Sequence, residues 1–552
     1  MTAPRSCVGK DGRFIVGIHK PCFEIKNLRE HDYITSLGQL QDGKMVDNKV
    51  NFPGGDLYEP DADTIYEIAN PFPFRGTTYI NSAWADKKAA HPETISIPAP
   101  GPCSLLKNFE LSSKTGAIGI QDKKSLLDLL PHPLLIALAQ ASTDPEELVL
   151  LAKKSCKILF DPKTGAPDGI GYRKNRKNKI IPDIHDHELF EVLVNNRHLP
   201  GDYKNTLVLK PGVQGNNEIT GEYISQDKNT HVFEYLRRNS YIPWGHFASN
   251  MANDAIRYRA LDLCHEDMKG IRHLYYQRTF ARLAKGFGIL LPEKRRCLKE
   301  NELESIRKKI LAELEKDTSP SLEFGHTLWG WNFGYGYAQS GHRLHASHQM
   351  IHHQNAMIPK NVKTDTGEIL PSFACGDLVK DFILQYRKAT SKNFFLNYLA
   401  AIKNNTRTDK KPGYESSLIL LEDDHTILFV PKAQISEWEL QLMPKTPCGN
   451  ILEADTSMRR SLDKAILSAV KTLEFLGAQM VTSIEFSKQF DCQNRDHHLL
   501  YSFIPRLPYA PDTFSEAQLR WISGCYPEDF AHACRTALKT ISGQEFKKND
   551  SS

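Results

Sequence analysis

Apolar and polar residues alternate most regularly between residues 412 and 552. Within Ser457–Leu476, Leu462, Ile466 and Val470 recur at helical spacing and Gly477 follows, so we predict an amphipathic helix that ends there. Five short apolar runs flank this helix and predict strands: Ser417–Leu421, Thr426–Val430, Trp438–Met443, Thr482–Phe486 and His498–Ile504. The predicted order is hairpin, strand, helix, strand, strand, which is an α+β unit.

Residues 196–390 predict a second unit of the same kind. The segment Glu266–Phe287 is expected to be helical, and a second helix is expected to begin at an Asn301 N-cap with Glu304 at the third helical position. Strands are expected at Leu207–Leu209, His231–Tyr235 and Ser321–Trp331. We therefore divide the chain into residues 1–195, 196–390 and 412–552.

A weak internal repeat connects these two units. The tetrapeptide SLEF at 321–324 resembles SIEF at 483–486, and each follows a predicted helix. Each also precedes a strand that ends in Ile-Pro and a basic residue, at 358–360 and at 504–506. This shared order favours a duplicated α+β unit.

Residues 1–195 carry weaker patterns and predict a mixed α/β extension whose role the sequence does not indicate. Apolar runs suggest strands at Arg13–Ile18, Thr78–Ile80 and Thr94–Ile97, and helical patterns cover Lys124–Leu138 and Pro145–Cys156. The segment 161–178 is expected to be a loop, and its basic end is more typical of a solvated surface than of a phosphate site.

Composition narrows the class of protein. The 552 residues are 40% hydrophobic and 25% charged, with a net charge of +4, so we expect a globular protein and not a dedicated nucleic-acid binder. No apolar run approaches ~18 residues, so no membrane span is expected. The eleven cysteines include no C-x-x-C pair and the N-terminus has no hydrophobic signal segment, so we expect reduced thiols and a cytoplasmic location.

Candidate chemistry is concentrated in residues 332–360, which contain His342, His345, His348, His352 and His353 after a glycine-rich start. If the segment from Ser347 is extended, alternate residues share a face, so His352 and Gln354 would point into one site. A neutral imidazole is a good nucleophile near pH 7, and an amide can donate to a phosphate oxygen. The pattern predicts attack on a phosphorus atom.

The pattern S-x-x-H-x-H-x-Q preceded by N-x-G resembles the active-site motif of galactose-1-phosphate uridylyltransferases and diadenosine tetraphosphate phosphorylases, in the histidine-triad (HIT-like) superfamily. Ser347, His352 and Gln354 match three of its positions, and Asn332 and Gly334 match the N-x-G. The resemblance implies that His352 becomes covalently nucleotidylated and that Gln354 stabilises the transferred phosphoryl group. It also implies that Ser347, Asn332 and Gly334 contact phosphates, while His345 and His348 would line the pocket.

The C-terminal unit also resembles a HIT-like half. Its segment LLEDDHTILFVPKAQISEWELQLMPK is similar to the family's hairpin and next strand, and RDHHLLYSFIPR is similar to H-x-H-x-H. His498 is retained there, whereas Leu500 and Ser502 occupy the other two histidine positions, so this half is expected to be catalytically empty. The resemblance implies an α+β fold of two HIT-like halves in tandem, with an antiparallel sheet and helices.

The same resemblance implies a substrate class and possible partners. The nucleotide donor would be a nucleotide sugar or a dinucleoside polyphosphate, and the acceptor would be a sugar phosphate or inorganic phosphate. No cofactor is certain, although zinc or magnesium remains possible, and no metal ligand is assigned. A homodimer is possible because active sites in this family often draw on a partner subunit, while nucleic acid and membrane are not expected partners.

Departures from the motif leave other interpretations open. Met350 replaces the family's first histidine, and the family's zinc-binding cysteines are not recognisable. Alignment on Ser340 would put His345 at the nucleophile position, and alignment on Ile-Pro would pair His352 with His498. One rival function is a nucleotide-binding pseudoenzyme or regulator. Another is a metal-dependent hydrolase that uses the histidine cluster with acids from the segment DIHDH at 183–187.

Overall fold

The computed structural model describes residues 5–26, 36–47, 55–60, 62–99, 101–114, 123–176, 178, 180–207, 249–250, 260–293, 296, 298–316, 322–334, 351–507 and 513–549. Within these residues helices and antiparallel sheets are mixed, so the α+β prediction is confirmed.

The N-terminal strands form paired ribbons and a small sheet. Their bounds are Gly17–His19 (β1), Phe23–Ile25 (β2), Ser36–Gln39 (β3), Met45–Asp47 (β4), Leu57–Glu59 (β5), Ile65–Ala69 (β6) and Thr77–Asn81 (β7), followed by helix α1 at Ser82–Ala90. Strand β2 pairs with β5, and β3 pairs with β4. The strand predicted at Thr94–Ile97 is wrong, because Pro92–Thr94 forms a short 3-10 turn that Pro92 initiates.

Residues 101–207 form a mainly helical unit with its own apolar core. It contains Leu105–Lys114 (α2), Lys123–Leu129 (α3), His132–Ala141 (α4), Pro145–Ser155 (α5), His187–Val194 (α6) and Gly201–Thr206 (α7), with strands Ile158–Phe160 (β8), Pro167–Ile170 (β9), Tyr172–Lys174 (β10) and Ile180–Pro182 (β11). The helix predicted over Lys124–Leu138 is instead two helices, because Pro131 has no N–H and interrupts the hydrogen-bond ladder. The predicted loop 161–178 contains β9 and β10, which pair with β8 and β11.

The remaining elements include the strands of the largest sheet and its covering helices, together with the hairpin β15–β16 and strand β22. The strands are Ser249–Asn250 (β12), Phe324–Gly334 (β13), Ile351–Pro359 (β14), Asn361–Lys363 (β15), Ile369–Pro371 (β16), Ile419–Glu422 (β17), Thr426–Phe429 (β18), Leu440–Pro444 (β19), Met480–Phe486 (β20), Leu500–Arg506 (β21) and Arg520–Ser523 (β22). The helices are His265–Gly286 (α8), Glu300–Leu314 (α9), Cys375–Thr390 (α10), Phe394–Lys403 (α11), Thr456–Phe475 (α12), Thr513–Gln518 (α13) and Pro527–Asn549 (α14).

Eight of the described strands form one antiparallel sheet in the order β12-β14-β13-β20-β21-β19-β18-β17. Strands β13 and β20 meet at its centre, where residues 330–334 pair with residues 484–480. Strand β22 lies elsewhere: it pairs in parallel with β7, next to β6 and β1. Strands from the N-terminal and C-terminal regions of the chain therefore share a second, four-stranded sheet.

Alternation along the strands separates two apolar layers. Trp331, Phe333 and Tyr501 pack with helices α8, α12 and α14 on one face of the sheet. Phe486 and Leu500 belong to a second cluster that contains residues of α10, α11 and the N-terminal segment. In the C-terminal part of the sheet, the face opposite α12 is therefore covered by chain from other regions.

A buried polar network lies within the first layer. Arg272 of α8 donates from Nε to Asp463 Oδ1 of α12 at 3.0 Å and from Nη2 to the Tyr501 hydroxyl at 2.9 Å. Tyr275 donates to Glu485 Oε1 at 2.8 Å, and burial raises the pKa of that carboxyl. These side chains link α8 to β20, β21 and α12.

Helix α9 begins earlier than predicted. Its N-cap is Lys299, whose backbone N–H donates to the Glu302 carboxylate at 2.8 Å, and not Asn301. Glu304 binds Arg307 and Arg459 instead of closing a capping box.

Two predicted strands fall largely outside the described residues. Leu207, the first residue of the strand predicted at Leu207–Leu209, directly follows α7, and the other two residues are outside the described part. The strand predicted at His231–Tyr235 also lies outside it.

No helix in the described part of the chain is both long and apolar enough to cross a membrane. The ten cysteines that lie in that part are free thiols.

Candidate functional site

The two parts of the sequence motif lie on neighbouring strands. Asn332 and Gly334 end β13, and His352 and Gln354 are near the start of β14. The register pairs Asn332 with His352 and Gly330 with Gln354. Residues that face each other in an antiparallel pair share a side of the sheet, so positions 352 and 332 fall on one face.

The extended conformation predicted for the histidine segment is observed from Ile351 to Pro359. Ser347, His345 and His348 lie outside the described residues, as do Met350 and His342. The structure therefore brings together the positions of Asn332, Gly334, His352 and Gln354.

Asn332 is held from its other side by the C-terminal region. Its side chain is 6% exposed, and the Thr482 hydroxyl of β20 donates to Asn332 Oδ1 at 2.8 Å. Asn332 and Thr482 are directly opposite in the β13–β20 register. Positions 352, 332 and 482 thus form one row across three strands. We did not predict a role for Thr482, because its partner lies 150 residues away.

Glycines shape the edge of this row. Gly334 has a φ of +90°, and a Cβ there would lie 1.8 Å from the Gln479 carbonyl oxygen. The close approach of β13 to the start of β20 therefore requires glycine at position 334. This packing requirement is separate from the phosphate contact that the sequence predicts for Gly334. Gly330, opposite Gln354, is a glycine that the sequence pattern did not single out; a Cβ there would lie 3.1 Å from the Ser483 carbonyl oxygen.

In the C-terminal unit, the positions that the sequence resemblance aligns with motif histidines are surrounded by protein side chains. Ser502 Oγ accepts a hydrogen bond from Arg75 Nη2 at 3.1 Å and donates to Glu439 Oε1 at 2.5 Å. The His498 ring stacks on Phe395, with centroids 4.6 Å apart, and its Nδ1 lies 2.8 Å from the Pro444 carbonyl oxygen. Burial lowers the pKa of His498 to about 4, so this imidazole is neutral at pH 7.

The acidic residues considered as distant metal ligands have local partners. Asp186 caps α6 by accepting from the Leu189 N–H at 3.0 Å, and it lies 3.0 Å from His132 Nε2. Asp183 lies 3.2 Å from Arg173 Nε. Among the described residues, no group of three or more His, Cys, Asp or Glu side chains is arranged to hold a metal ion.

Comparison with known proteins found matches among solved structures. No protein-family model and no curated protein sequence matches it. It is similar to a structure of uridylyltransferase (11% identity, 70% of this chain and 99% of that chain, TM-score 0.36). It is also similar to an ADP-glucose phosphorylase from Arabidopsis thaliana with bound ADP-glucose (13% identity, 53% and 75% of the two chains, TM-score 0.32). A third is a HIT-like protein from Bartonella henselae (23% identity, 23% and 89%, TM-score 0.17).

The resemblance to the HIT-like superfamily rests on the sequence motif S-x-x-H-x-H-x-Q. Two of the matched structures are named as a uridylyltransferase and an ADP-glucose phosphorylase. Every TM-score is below 0.5, so the likeness assigns neither a substrate nor catalytic residues to this chain.

Proposed function

We propose that the chain is a nucleotidyltransferase or phosphorylase that works through a covalent intermediate on His352. It would move a nucleoside monophosphate from a nucleotide sugar or a dinucleoside polyphosphate to a phosphate acceptor. The observation that carries this proposal is the β13–β14 register, in which Asn332 is opposite His352 and Gly330 is opposite Gln354. Two motif segments separated in sequence are thereby neighbours on one surface.

The proposal includes two HIT-like halves, residues 196–390 and 412–552, with residues 1–195 as an extension. Strand order supports it: β19-β21-β20 in one direction from the sheet centre corresponds to β12-β14-β13 in the other. In each set the first strand is followed by a long helix, α12 or α8, and these helices pack in one core. In this proposal the two sets would be related by an approximate two-fold axis at the antiparallel contact of β13 with β20.

In the first step, an imidazole nitrogen of His352 would attack the α-phosphorus of the donor. An N–P bond forms as the bridging P–O bond breaks, and a sugar phosphate or a nucleoside polyphosphate leaves. Gln354 and Asn332 would donate hydrogen bonds to non-bridging oxygens, and one such donor typically contributes roughly 10²–10³ in rate. In the second step an acceptor phosphate oxygen attacks the same phosphorus and the N–P bond breaks, which restores the imidazole.

One active site per chain follows from the same proposal. In the C-terminal half, Ser502 and Glu439 are fully buried and Arg75 is nearly so, and Phe395 stacks on His498. These contacts leave the surface of that half occupied by the protein's own side chains. We therefore expect one nucleotide bound per chain.

Intact-mass measurement tests the proposal. The protein is incubated, without acceptor, with a panel of nucleotide sugars and dinucleoside polyphosphates that carry different bases. We expect a mass increase of one nucleoside monophosphate with the correct donor, and its loss when inorganic phosphate or a sugar phosphate is added. His352→Asn should abolish the adduct. His353→Asn is the matched control, since position 353 falls on the opposite face of β14, and it should retain the adduct.

A different outcome would favour the pseudoenzyme interpretation. Met350 replaces the family's first histidine, which in the motif precedes the nucleophile by two residues. Nucleotide binding by equilibrium dialysis, without an adduct for any donor in the panel, would indicate a protein that retained the pocket and lost the chemistry. Loss of a hydrolytic activity on addition of a chelator would favour the metal-dependent hydrolase.

A further inference from the structure

We propose that the N-terminal arm, defined as strands β2, β3, β4 and β5, binds the same arm of a second copy of this chain. The strand pairing is nested in sequence: β3 pairs with β4, β2 with β5, and β1 with β6. Strands β1 and β6 belong to the four-stranded sheet, whereas β2–β5 and β3–β4 are separate two-stranded ribbons. The inference goes beyond the proposed function and does not depend on it.

The β2–β5 ribbon has one apolar face and one polar face. Ile25 is directly opposite Leu57, and Phe23 lies two residues away on β2, so these three side chains share a face. Each of them is 50–57% exposed. The same register pairs Glu24 with Tyr58 on the other face.

The polar face is balanced within the chain. Lys26 Nζ lies 2.9 Å from Asp56 Oδ2 and 2.6 Å from Glu24 Oε1. These three residues alternate with the apolar set along the two strands, so their ion pairs lie on the side opposite Ile25 and Leu57. The polar face is therefore suited to water, and the apolar face is the one that a partner would stabilise by covering it.

The arm exposes more apolar surface than a free ribbon favours. An isolated two-stranded ribbon is marginally stable in water, and a third strand or a packed face is needed for independent stability. Between Ile18 and Leu57, seven large apolar side chains are at least half exposed. At roughly 100 Å² each they present roughly 700 Å². This area exceeds the ~300–600 Å² of the largest patch on a typical monomer and approaches the ~800 Å² that each partner contributes to a standard interface.

A second copy is the occupant that these features favour. The apolar face is self-complementary, because a two-fold arrangement places Ile25 and Leu57 against the same residues of the other arm. Two ribbons stacked about 10 Å apart form the two-layer packing that a single ribbon lacks. Residues 17–59 contain five Lys or Arg and seven Asp or Glu, a net charge of −2. This charge disfavours nucleic acid and an anionic membrane as partners.

The oligomeric state of the whole chain tests the inference. In sedimentation velocity at micromolar concentrations, we expect the parent to be a dimer of 62.6-kDa chains. Leu57→Lys introduces a charge into the apolar face twice per dimer and should raise the dimer dissociation constant at least about 100-fold. Tyr58→Lys is the matched control: it introduces the same charge at the next residue, on the opposite face. It should change the dissociation constant by less than about threefold.

A second substitution separates loss of the interface from loss of the arm's structure. Ile25→Lys, on the other strand of the same face, should weaken the dimer as Leu57→Lys does. Residues 25, 57 and 58 are exposed in a single copy, so we expect far-UV circular dichroism spectra of all three variants to match the parent. A monomeric parent would overturn the inference. So would a dimer that survives both apolar-face substitutions, or equal weakening by Tyr58→Lys.

A flotation assay addresses another occupant of the apolar face. The parent and Leu57→Lys are mixed with vesicles of phosphatidylcholine and phosphatidylserine, and we expect neither to float with them. A monomeric parent that floats, with a Leu57→Lys variant that does not, would assign the face to a membrane surface and overturn the inference. Neither assay depends on adduct formation, so failure of the proposed function is distinguished from failure of this inference.

Discussion

The Arg75 guanidinium hydrogen-bonds to the Ser502 hydroxyl of β21 across 427 residues of chain, at an Nη2–Oγ distance of 3.1 Å. The same Nη2 lies 2.9 Å from Glu439 Oε1, and the three side chains are buried. Ser502 is one of the two residues that the sequence resemblance aligns with histidines of the HIT-like motif. We interpret the N-terminal residues around Arg75 as a cover for the surface of the C-terminal half.

Arg75→Met should destabilise the protein by about 3–5 kcal/mol, because it leaves the buried Glu439 carboxylate without its cation. The free energy of unfolding in urea measures this loss. Arg5→Met is the matched control: Arg5 pairs with Glu67 at the surface, with 67% of its side chain exposed, and should cost less than about 1 kcal/mol. Glu439→Gln in the Arg75→Met background should recover part of the loss. Equal effects at Arg75 and Arg5 would contradict a buried ion pair.

Acid should destabilise the fold through His498. Burial lowers the pKa of this imidazole from 6.5 to about 4, so the unfolded chain binds a proton in this range that the folded chain does not. Stability is therefore complete above pH 6.5 and falls as the pH is lowered towards 4, by about 3 kcal/mol from this residue. His497, whose pKa burial lowers to about 3, contributes in the same direction.

His498→Asn keeps a donor for the Pro444 carbonyl and removes the titration. We expect a constant loss of stability from the missing Phe395 contact, and a shallower fall in unfolding free energy between pH 6.5 and 4. Chemical denaturation at several pH values, with pH 7.5 as the reference, measures both. Parallel curves for the variant and the parent would show that His498 does not carry the effect.

Gly334→Ala should lower the free energy of unfolding by at least about 3 kcal/mol, for two reasons. The added Cβ would lie 1.8 Å from the Gln479 carbonyl oxygen, and alanine would have to adopt the left-handed backbone conformation of Gly334. Gly367 separates these two effects: it has the same φ of +90°, but the nearest atom to its Cβ would be Lys363 Cε at 3.8 Å. Gly367→Ala should therefore cost about 1–2 kcal/mol. If thermal unfolding shows the same loss of stability for Gly334→Ala and Gly367→Ala, the contact between β13 and β20 at Gly334 is not tight.

Tyr275→Phe should destabilise the protein by about 1–3 kcal/mol, since Glu485 loses a buried donor at 2.8 Å and Thr327 loses a partner at 2.9 Å. Tyr58→Phe removes the same hydroxyl from a side chain that is 63% exposed and should change the unfolding free energy by less than about 0.5 kcal/mol. Urea unfolding compares the two. A neutral Tyr275→Phe would show that the network does not depend on this hydroxyl.

Elements with strong local signals were predicted well. The helix predicted at Glu266–Phe287 is observed at His265–Gly286, and the one predicted at Ser457–Leu476 is observed at Thr456–Phe475. All five predicted strands of the C-terminal unit are present with boundaries shifted by up to two residues. Helical periodicity, stop signals and alternation depend on residues within one or two turns, so a sequence contains them directly.

Errors occurred where the deciding interaction was less obvious in the sequence. Helix α9 begins at Glu300 because Glu302, and not Glu304, accepts from the N-cap backbone. Strands β9 and β10 form in a segment rich in Gly, Pro and basic residues because each pairs with another strand. Hydrogen bonding to the neighbouring strands β8 and β11 therefore outweighs the low strand propensity of the segment's own residues.

By itself the sequence determined the α+β class, the motif residues and the expectation that His352 and Gln354 share a face of a strand. The tertiary structure decided which residues stand beside them: Asn332 across β13, and Thr482 beyond it on β20. It also decided that Arg75 reaches Ser502. Such pairs depend on strand register between distant segments, and register is set by packing of the whole sheet and not by neighbouring residues in the chain.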